Sequence, residues 1–123
     1  MREELLRFDS SVQRNRRRTT RDTALVGQRI RAGDRVLAFL GSANRDELVF
    51  DRPELDLARN PTKHLAFGYI HYCIGAALSR LEAPLALVAI LERFPAIRLA
   101  PGAMPAWKPN ITFRGLAVLV VQL

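Results

Sequence analysis

Cysteine is almost missing from this 123-residue chain, which has one, Cys73. A single thiol excludes an internal disulfide, so Cys73 is either a buried apolar filler or a chemically used group. Long hydrophobic runs are missing as well. No stretch reaches the ~18 apolar residues of a membrane-spanning helix, and Met1-Arg2-Glu3-Glu4 is not followed by the apolar segment of a secretory signal. The expectation is a soluble, cytoplasmic protein with no membrane partner. Aromatic residues amount to 7% of the chain, and none falls between Arg14 and Arg35, where the arginines cluster. That removes the alternation of bases and rings on which single-stranded nucleic-acid binding relies. Internal repeats are absent, and the arginine cluster is the one biased tract.

What is present fits a single small globular unit: 49% of residues are hydrophobic and 25% charged. The formal charge of +7 is uneven, with Arg14, Arg16, Arg17, Arg18, Arg21, Arg29, Arg31 and Arg35 in one early segment. Such a block suits an anionic partner, but a solvated loop or strand edge is the commoner reason for it, and nucleic acid is not expected as a partner.

Arg2-Glu3-Glu4-Leu5-Leu6-Arg7-Phe8 are helix formers that stop before Asp9-Ser10-Ser11, residues that favour turns. From Thr19 to Leu40 the pattern predicts short strands: Ala24-Leu25-Val26, then Gln28-Arg29-Ile30 after Gly27, then Arg35 to Leu40 after the turn residues Ala32-Gly33-Asp34. Residues 41–66 carry three breaker clusters, Gly41-Ser42-Ala43-Asn44, Asp51-Arg52-Pro53 and Asn60-Pro61-Thr62, and predict a long irregular segment with a helical turn near 45–50. Beyond Cys73 a helix is predicted from Leu78, Leu81, Leu85 and Val88, ending by Phe94-Pro95. Pro101, Gly102, Pro105 and Pro109 then predict turns before a terminal strand over 115–121.

The chemistry centres on Phe67-Gly68-Tyr69-Ile70-His71-Tyr72-Cys73-Ile74-Gly75. A thiolate ligand needs its charge stabilised. A helix predicted to begin immediately after Cys73 supplies unpaired N–H groups that lower the thiol pKa and temper its electron donation to a metal. Gly75, without a Cβ, lets a flat cofactor or another backbone approach closely. His71, two residues before Cys73, is placed to donate to an anionic group at the rim of the same site. Taken alone, a buried cysteine at a helix start beside a surface histidine is the commoner reading of these residues.

Phe67-Gly68, His71, Cys73, Gly75 and Ala77-Leu78-Ser79-Arg80, taken in order, resemble the haem-binding signature of the cytochrome P450 family. Glu4-Leu5-Leu6-Arg7 is similar to the Glu-x-x-Arg of that family's K helix. Ala43-Asn44-Arg45-Asp46 with Phe50 is similar to the segment before its meander. Arg59, eight residues before Phe67, stands where bacterial members place the arginine that closes a Glu-Arg-Arg structural triad, and His64-Leu65-Ala66 continues the match. Arg17, five residues before Asp22, resembles the family's propionate-binding arginine, with Arg16 and Arg18 as register alternatives.

The resemblance implies an α+β fold, mainly α. Residues 1–123 would be the C-terminal part of a bacterial-type P450 domain: end of the K helix, short β-strands, meander, Cys-ligand loop, L helix and C-terminal strands. It implies haem b (iron protoporphyrin IX) with Cys73 as axial iron ligand. His71 and Arg17 would hold propionates by charge-assisted hydrogen bonds, Phe67, Gly68 and Gly75 would line the cofactor, and Glu4, Arg7 and Arg59 would be structural. The implied activity is a haem-thiolate monooxygenase oxidising a small organic substrate with O2 and electrons from a ferredoxin-type donor, with no catalytic residue of its own in this segment.

Two departures from the family pattern stand out. The signature normally carries a second glycine between the Phe-Gly pair and the His, and here one residue is lacking, so displacement of Cys73 or of the turn is expected. The chain also starts within the helix of Glu4 and Arg7, so the family's upstream part, with its oxygen-handling helix and most of the substrate pocket, is expected to be absent. The alternative reading is therefore a truncated or degenerate, non-enzymatic fragment that is inactive or needs another chain.

Overall fold

Helix α1 (Arg2–Phe8) forms from the helix-favouring run, with Glu3 and Glu4 in its first turn and Arg7 in its last, the signs that suit the helix dipole. The coordinates are a computed structural model, and they describe residues 2–123. After α1 the chain makes two β-ribbons. Strand β1 (Asn15–Arg18) pairs antiparallel with β4 (Arg35–Ala38), and between them β2 (Thr23–Leu25) pairs with β3 (Gln28–Ile30). The β2–β3 connection is the two-residue turn Val26-Gly27, with φ of 48° and 76°. Positive φ at both central residues matches strand twist, which is why a glycine is at home there and a β-branched valine is strained.

The arginine cluster is itself an exposed strand, β1, the second of the two settings the sequence allows for it. Ala32-Gly33-Asp34 makes a tight connection from β3 of one ribbon to β4 of the other. The run expected to be strand through Leu40 ends at Ala38, and Leu40–Ala43 forms the short helix α2. Past α2, residues 45–75 are turns and irregular backbone, including the predicted helical turn, in which the amides of Val49 and Phe50 both donate to Asp46 O.

Helix α3 (Ala76–Arg93) ends before Pro95 as predicted, but it begins three residues beyond Cys73 rather than immediately after it. Ile74 and Gly75 bridge the gap as a turn, and the Ala76 amide donates to Cys73 O at 3.1 Å. That N–H is spent on a carbonyl, not left for the sulfur. Pro84 lies inside α3. Proline has no N–H, so Arg80 O loses its helical donor, and Arg2 Nη1 donates to it instead at 2.8 Å. The predicted single terminal strand is two: β7 (Leu116–Val118) pairs with β6 (Ala106–Trp107), and β8 (Val121–Gln122) pairs with β5 (Arg98–Leu99). A bridge between Val12 and Phe113 joins the segment after α1 to the C-terminal region.

The deepest part of the molecule is polar. Glu4 and Arg7 are 0% exposed, and Asn44 and Ser10 are buried with them, while Phe50 and Ala76 are the buried apolar residues among those described. By contrast Leu78, Leu81, Leu85, Val88 and Leu91 of α3 are exposed. The apolar stripe that defines this helix in the sequence is thus left in solvent. Each Å² left uncovered forgoes about 25 cal/mol of stabilisation. Leu5 and Leu6 of α1 and Pro84, Leu87, Val88 and Leu91 of α3 border an apolar groove of about 290 Å3. No helix among the described residues is long and apolar enough to cross a membrane.

Candidate functional site

Glu4, Arg7 and Arg59 meet as the sequence predicts. Arg7 Nε and Nη2 donate to the two carboxylate oxygens of Glu4 at 2.8 and 2.6 Å. Arg7 Nη1 donates to Asn44 O at 2.6 Å, and Nη2 also reaches Pro53 O and Glu54 O, each at 3.0 Å. Glu4 Oε1 accepts the Asp56 amide at 3.0 Å and faces Arg59 Nη1 at 3.6 Å. Arg7, through its hydrogen bonds, chiefly holds the Glu4 carboxyl below its ordinary pKa against the opposing effect of burial. Arg59 Nη2 donates to Asp51 O and Arg52 O at 3.1 and 2.6 Å. The guanidinium of Arg7 also lies 4.9 Å from the Phe50 ring centroid. A helix end has thereby been tied to an irregular segment that has no ladder of its own. Asn44 extends the tie by accepting the Leu65 amide on Oδ1 at 2.7 Å, two residues before Phe67.

Phe67, Gly68, His71, Cys73 and Gly75 come together in one loop. Gly68 has φ of +83°, and a Cβ there would stand 2.9 Å from His71 O, so only glycine allows the close approach. The Gly68 amide donates to Leu65 O at 3.0 Å, and the Cys73 amide donates to Phe67 O at 2.8 Å, closing the loop. A closed turn therefore forms although the segment is one residue short. Cys73 is exposed. A Cβ on Gly75 would lie 3.8 Å from Cys73 Sγ, an ordinary contact, so clearance beside the sulfur is modest rather than tight. The His71 side chain is exposed, and what His71 gives the loop is its backbone carbonyl.

Arg17 stands apart. It lies on β1 opposite Val36, while Arg16 and Arg18 face Leu37 and Arg35, so Arg17 shares a ribbon face with Asn15, and its two neighbours share the other. Its Nη1 donates to Asn15 Oδ1 at 2.8 Å. Among the described residues no hydrogen bond joins Arg17 to the Cys73 loop. Asp22 pairs with Arg29 at 2.7 Å and accepts the Ala32 amide at 2.9 Å; Arg29 first, and that amide second, lower its pKa.

Beside the loop lies a node that sequence reading left without a role. Arg80 Nε and Nη2 donate to Glu3 Oε1 and Oε2, each at 3.0 Å. His64 Nε2 meets Glu3 Oε2 at 2.8 Å, and His64 Nδ1 accepts the Ala66 amide at 3.3 Å. An accepting Nδ1 requires the proton on Nε2, so the histidine donates to Glu3. The guanidinium of Arg80 lies 4.6 Å from the Phe67 ring centroid and 5.9 Å from that of Tyr72. Arg80, above all, pulls the Glu3 carboxyl down to about 2, with His64 and Arg2 adding to it against burial. The legible signal was Pro84, which frees the carbonyl of Arg80 four residues earlier. A cleft of about 480 Å3 is bordered by His64, Gly68, Tyr72 and Arg80 together with Lys63.

The donor chemistry narrows what such a loop can hold. No group of three or more His, Cys, Asp or Glu residues able to cage a metal ion occurs among the described residues. A lone thiolate can serve a metal as one ligand among several, as it does where a porphyrin fills the other positions. The exposed Cys73, flanked by Gly75, fits that role.

The model of the family "Cytochrome P450" matches residues 2–109. A polyketide-biosynthesis cytochrome P450 of Bacillus subtilis is 43% identical over 98% of this chain and 31% of its own length, and a biotin-biosynthesis cytochrome P450 of the same organism is 40% identical over 97% and 30%. Among solved structures, a hydroxylase of himastatin biosynthesis superposes with a TM-score of 0.91 at 39% identity, covering 98% of this chain and 33% of that one. A Bacillus megaterium P450 in complex with testosterone gives 0.88 at 35% identity, with 97% and 33% covered. The chain belongs to the cytochrome P450 family, and its fold is part of the P450 fold. It spans about a third or less of the length of the curated relatives it matches.

Proposed function

We propose that this chain forms the thiolate-bearing side of a haem b site, with Cys73 as the axial ligand of the iron. The observation that carries this reading is the closed loop, in which Gly68 turns at φ +83° and the Cys73 amide is fixed on Phe67 O while the thiol stays exposed. Haem, when bound, supplies the redox chemistry by which the family's monooxygenases use O2. The chain's own residues hold and orient it: Cys73 by its sulfur, Phe67, Gly68 and Gly75 by shape, and His71 and Arg17 by pairing with propionates. A small organic substrate and a ferredoxin-type electron donor belong to the same proposal, as does a cytoplasmic setting.

One observation supports a second element of the reading. The apolar face of α3 and its groove with α1 are exposed, and the relatives carry about twice as much additional chain as this one spans. We assign that face to packing against the remainder of the P450 fold, so that monooxygenase activity requires that remainder, supplied by the same polypeptide or by another. The alternative of a non-enzymatic fragment is the case in which it is never supplied.

The test is an absorption spectrum of the purified chain after haem addition, followed by reduction under carbon monoxide. A band at the wavelength of thiolate-ligated haem is expected, and it should vanish in Cys73→Ser. A full band surviving in that variant overturns the ligand assignment, and no haem uptake by the wild-type chain overturns the cofactor reading for this chain alone.

A further inference from the structure

Arg80 touches both ends of the loop that presents Cys73. Its guanidinium lies over Phe67, whose carbonyl receives the Cys73 amide, and over Tyr72, which directly precedes Cys73. The two rings are 6.1 Å apart and tilted by 56°, so the cation lies against an aromatic pair spanning the loop. We propose that Glu3 and Arg80 form a clamp that positions the Cys73 loop, acting through Phe67 and Tyr72 and not on the cofactor itself. The proposal deepens the haem-thiolate reading and rests on it for the loop's purpose, although the clamp's grip on the loop is measurable without haem.

A long arginine side chain positions nothing unless it is itself held. Glu3 holds it with two parallel hydrogen bonds across 77 residues of sequence. Such a fork fixes the plane of the guanidinium as well as its place. Two further contacts fix the fork. His64 donates to the same carboxylate and takes the Ala66 amide on its other nitrogen, which ties Glu3 to the chain entering the loop. Arg2 donates to the Arg80 carbonyl that Pro84 leaves without a helical donor, so consecutive residues of α1 grip the side chain and the backbone of one residue of α3. The Arg7 cation of the Glu4–Arg7–Arg59 cluster, by contrast, lies over the rings of Phe8 and Phe50. Anchoring the meander and setting the loop are therefore tasks of adjacent residues on α1. A lysine at position 80 would keep the charge and lose both the plane and the fork.

Amide hydrogen exchange in the full chain, read by NMR, tests this directly, because the Cys73 N–H exchanges only when its bond to Phe67 O opens. In Arg80→Lys and Glu3→Gln the Cys73 amide should exchange about tenfold faster, while the Asp56 amide on Glu4 and the Gln13 amide on Thr112 O keep their wild-type rates. Unchanged Cys73 exchange in both variants overturns the clamp. An equal acceleration of all three amides overturns it too, because the pair would then serve overall stability alone. With haem added, both variants should show a smaller share of the thiolate-type carbon monoxide band than wild type. If wild type itself shows no such band, the haem reading fails, and the exchange rates still decide the clamp.

Discussion

Arg7 meets Glu4 through two hydrogen bonds of 2.8 and 2.6 Å, with both side chains wholly out of water. Each charge is tolerable there only because the other is present, and because carbonyls of Asn44, Pro53 and Glu54 absorb the remaining donors. Removing one partner strands the other in a low-dielectric setting. Arg7→Leu and Glu4→Gln should each cost about 3–5 kcal/mol, measured as the loss of unfolding free energy in urea. Arg59→Leu should cost clearly less, because its contact with Glu4 is longer, at 3.6 Å.

Gly68 and Gly27 both have positive φ, but their surroundings differ. A Cβ at Gly27 would meet nothing within 4 Å, whereas at Gly68 it would lie 2.9 Å from His71 O. Gly27→Ala should therefore show backbone strain alone, about 1–2 kcal/mol. Gly68→Ala should add the cost of moving the His71 carbonyl and should lose haem uptake as well. Thermal melts and haem titration of the two variants, side by side, check both parts.

The Glu3 carboxyl is lowered from 4.5 to about 2 in the folded chain, chiefly by its hydrogen bonds to Arg80. A lowered folded-state value means that the ionised side chain stabilises the fold at every pH above its unfolded value, and that this support fades as pH falls toward about 2. The stability gap between wild type and Glu3→Gln should be constant from neutrality down to about pH 5 and should close below that. Urea midpoints across an acid series measure it, and a gap that stays constant through the acid range would sink the assignment.

Arg17 differs from Arg16 and Arg18 by the ribbon face it occupies. Arg17→Ala should weaken haem affinity by about tenfold, the worth of one charge-assisted contact. Arg16→Ala should leave it within twofold. If Arg16→Ala gives the larger loss instead, the propionate contact belongs to the other register.

The sequence made the chemistry more legible than the packing. Glu4, Arg7 and Arg59 and the Phe67–Cys73 loop were readable through their resemblance to family motifs, and the structure shows what each motif does: a buried set of paired charges and a turn that needs glycine at Gly68. Helices α1 and α3 were readable from composition and from the stripe of Leu78, Leu81, Leu85 and Val88. The β-ribbons were harder. An arginine-rich strand such as β1 carries no alternation of polar and apolar residues, and its pairing with β4 is set by a partner some twenty residues on. The split of the last apolar run into β7 and β8 follows from two different partners, β6 and β5, which local pattern does not name. Glu3 and His64 gained their roles only through Arg80, far away in sequence, and a helical proline was the single local hint.

A centre made of carboxylate, guanidinium and amide rather than of packed hydrocarbon also shapes the calorimetry of this chain. The heat-capacity rise on unfolding comes mainly from apolar surface newly wetted, about 12–15 cal/mol/K per residue in ordinary domains. Here the leucines of α3 are wetted already in the folded state. Scanning calorimetry of the isolated chain should give a smaller rise per residue than that, and contact with whatever covers α3 should restore the difference as a negative heat capacity of association.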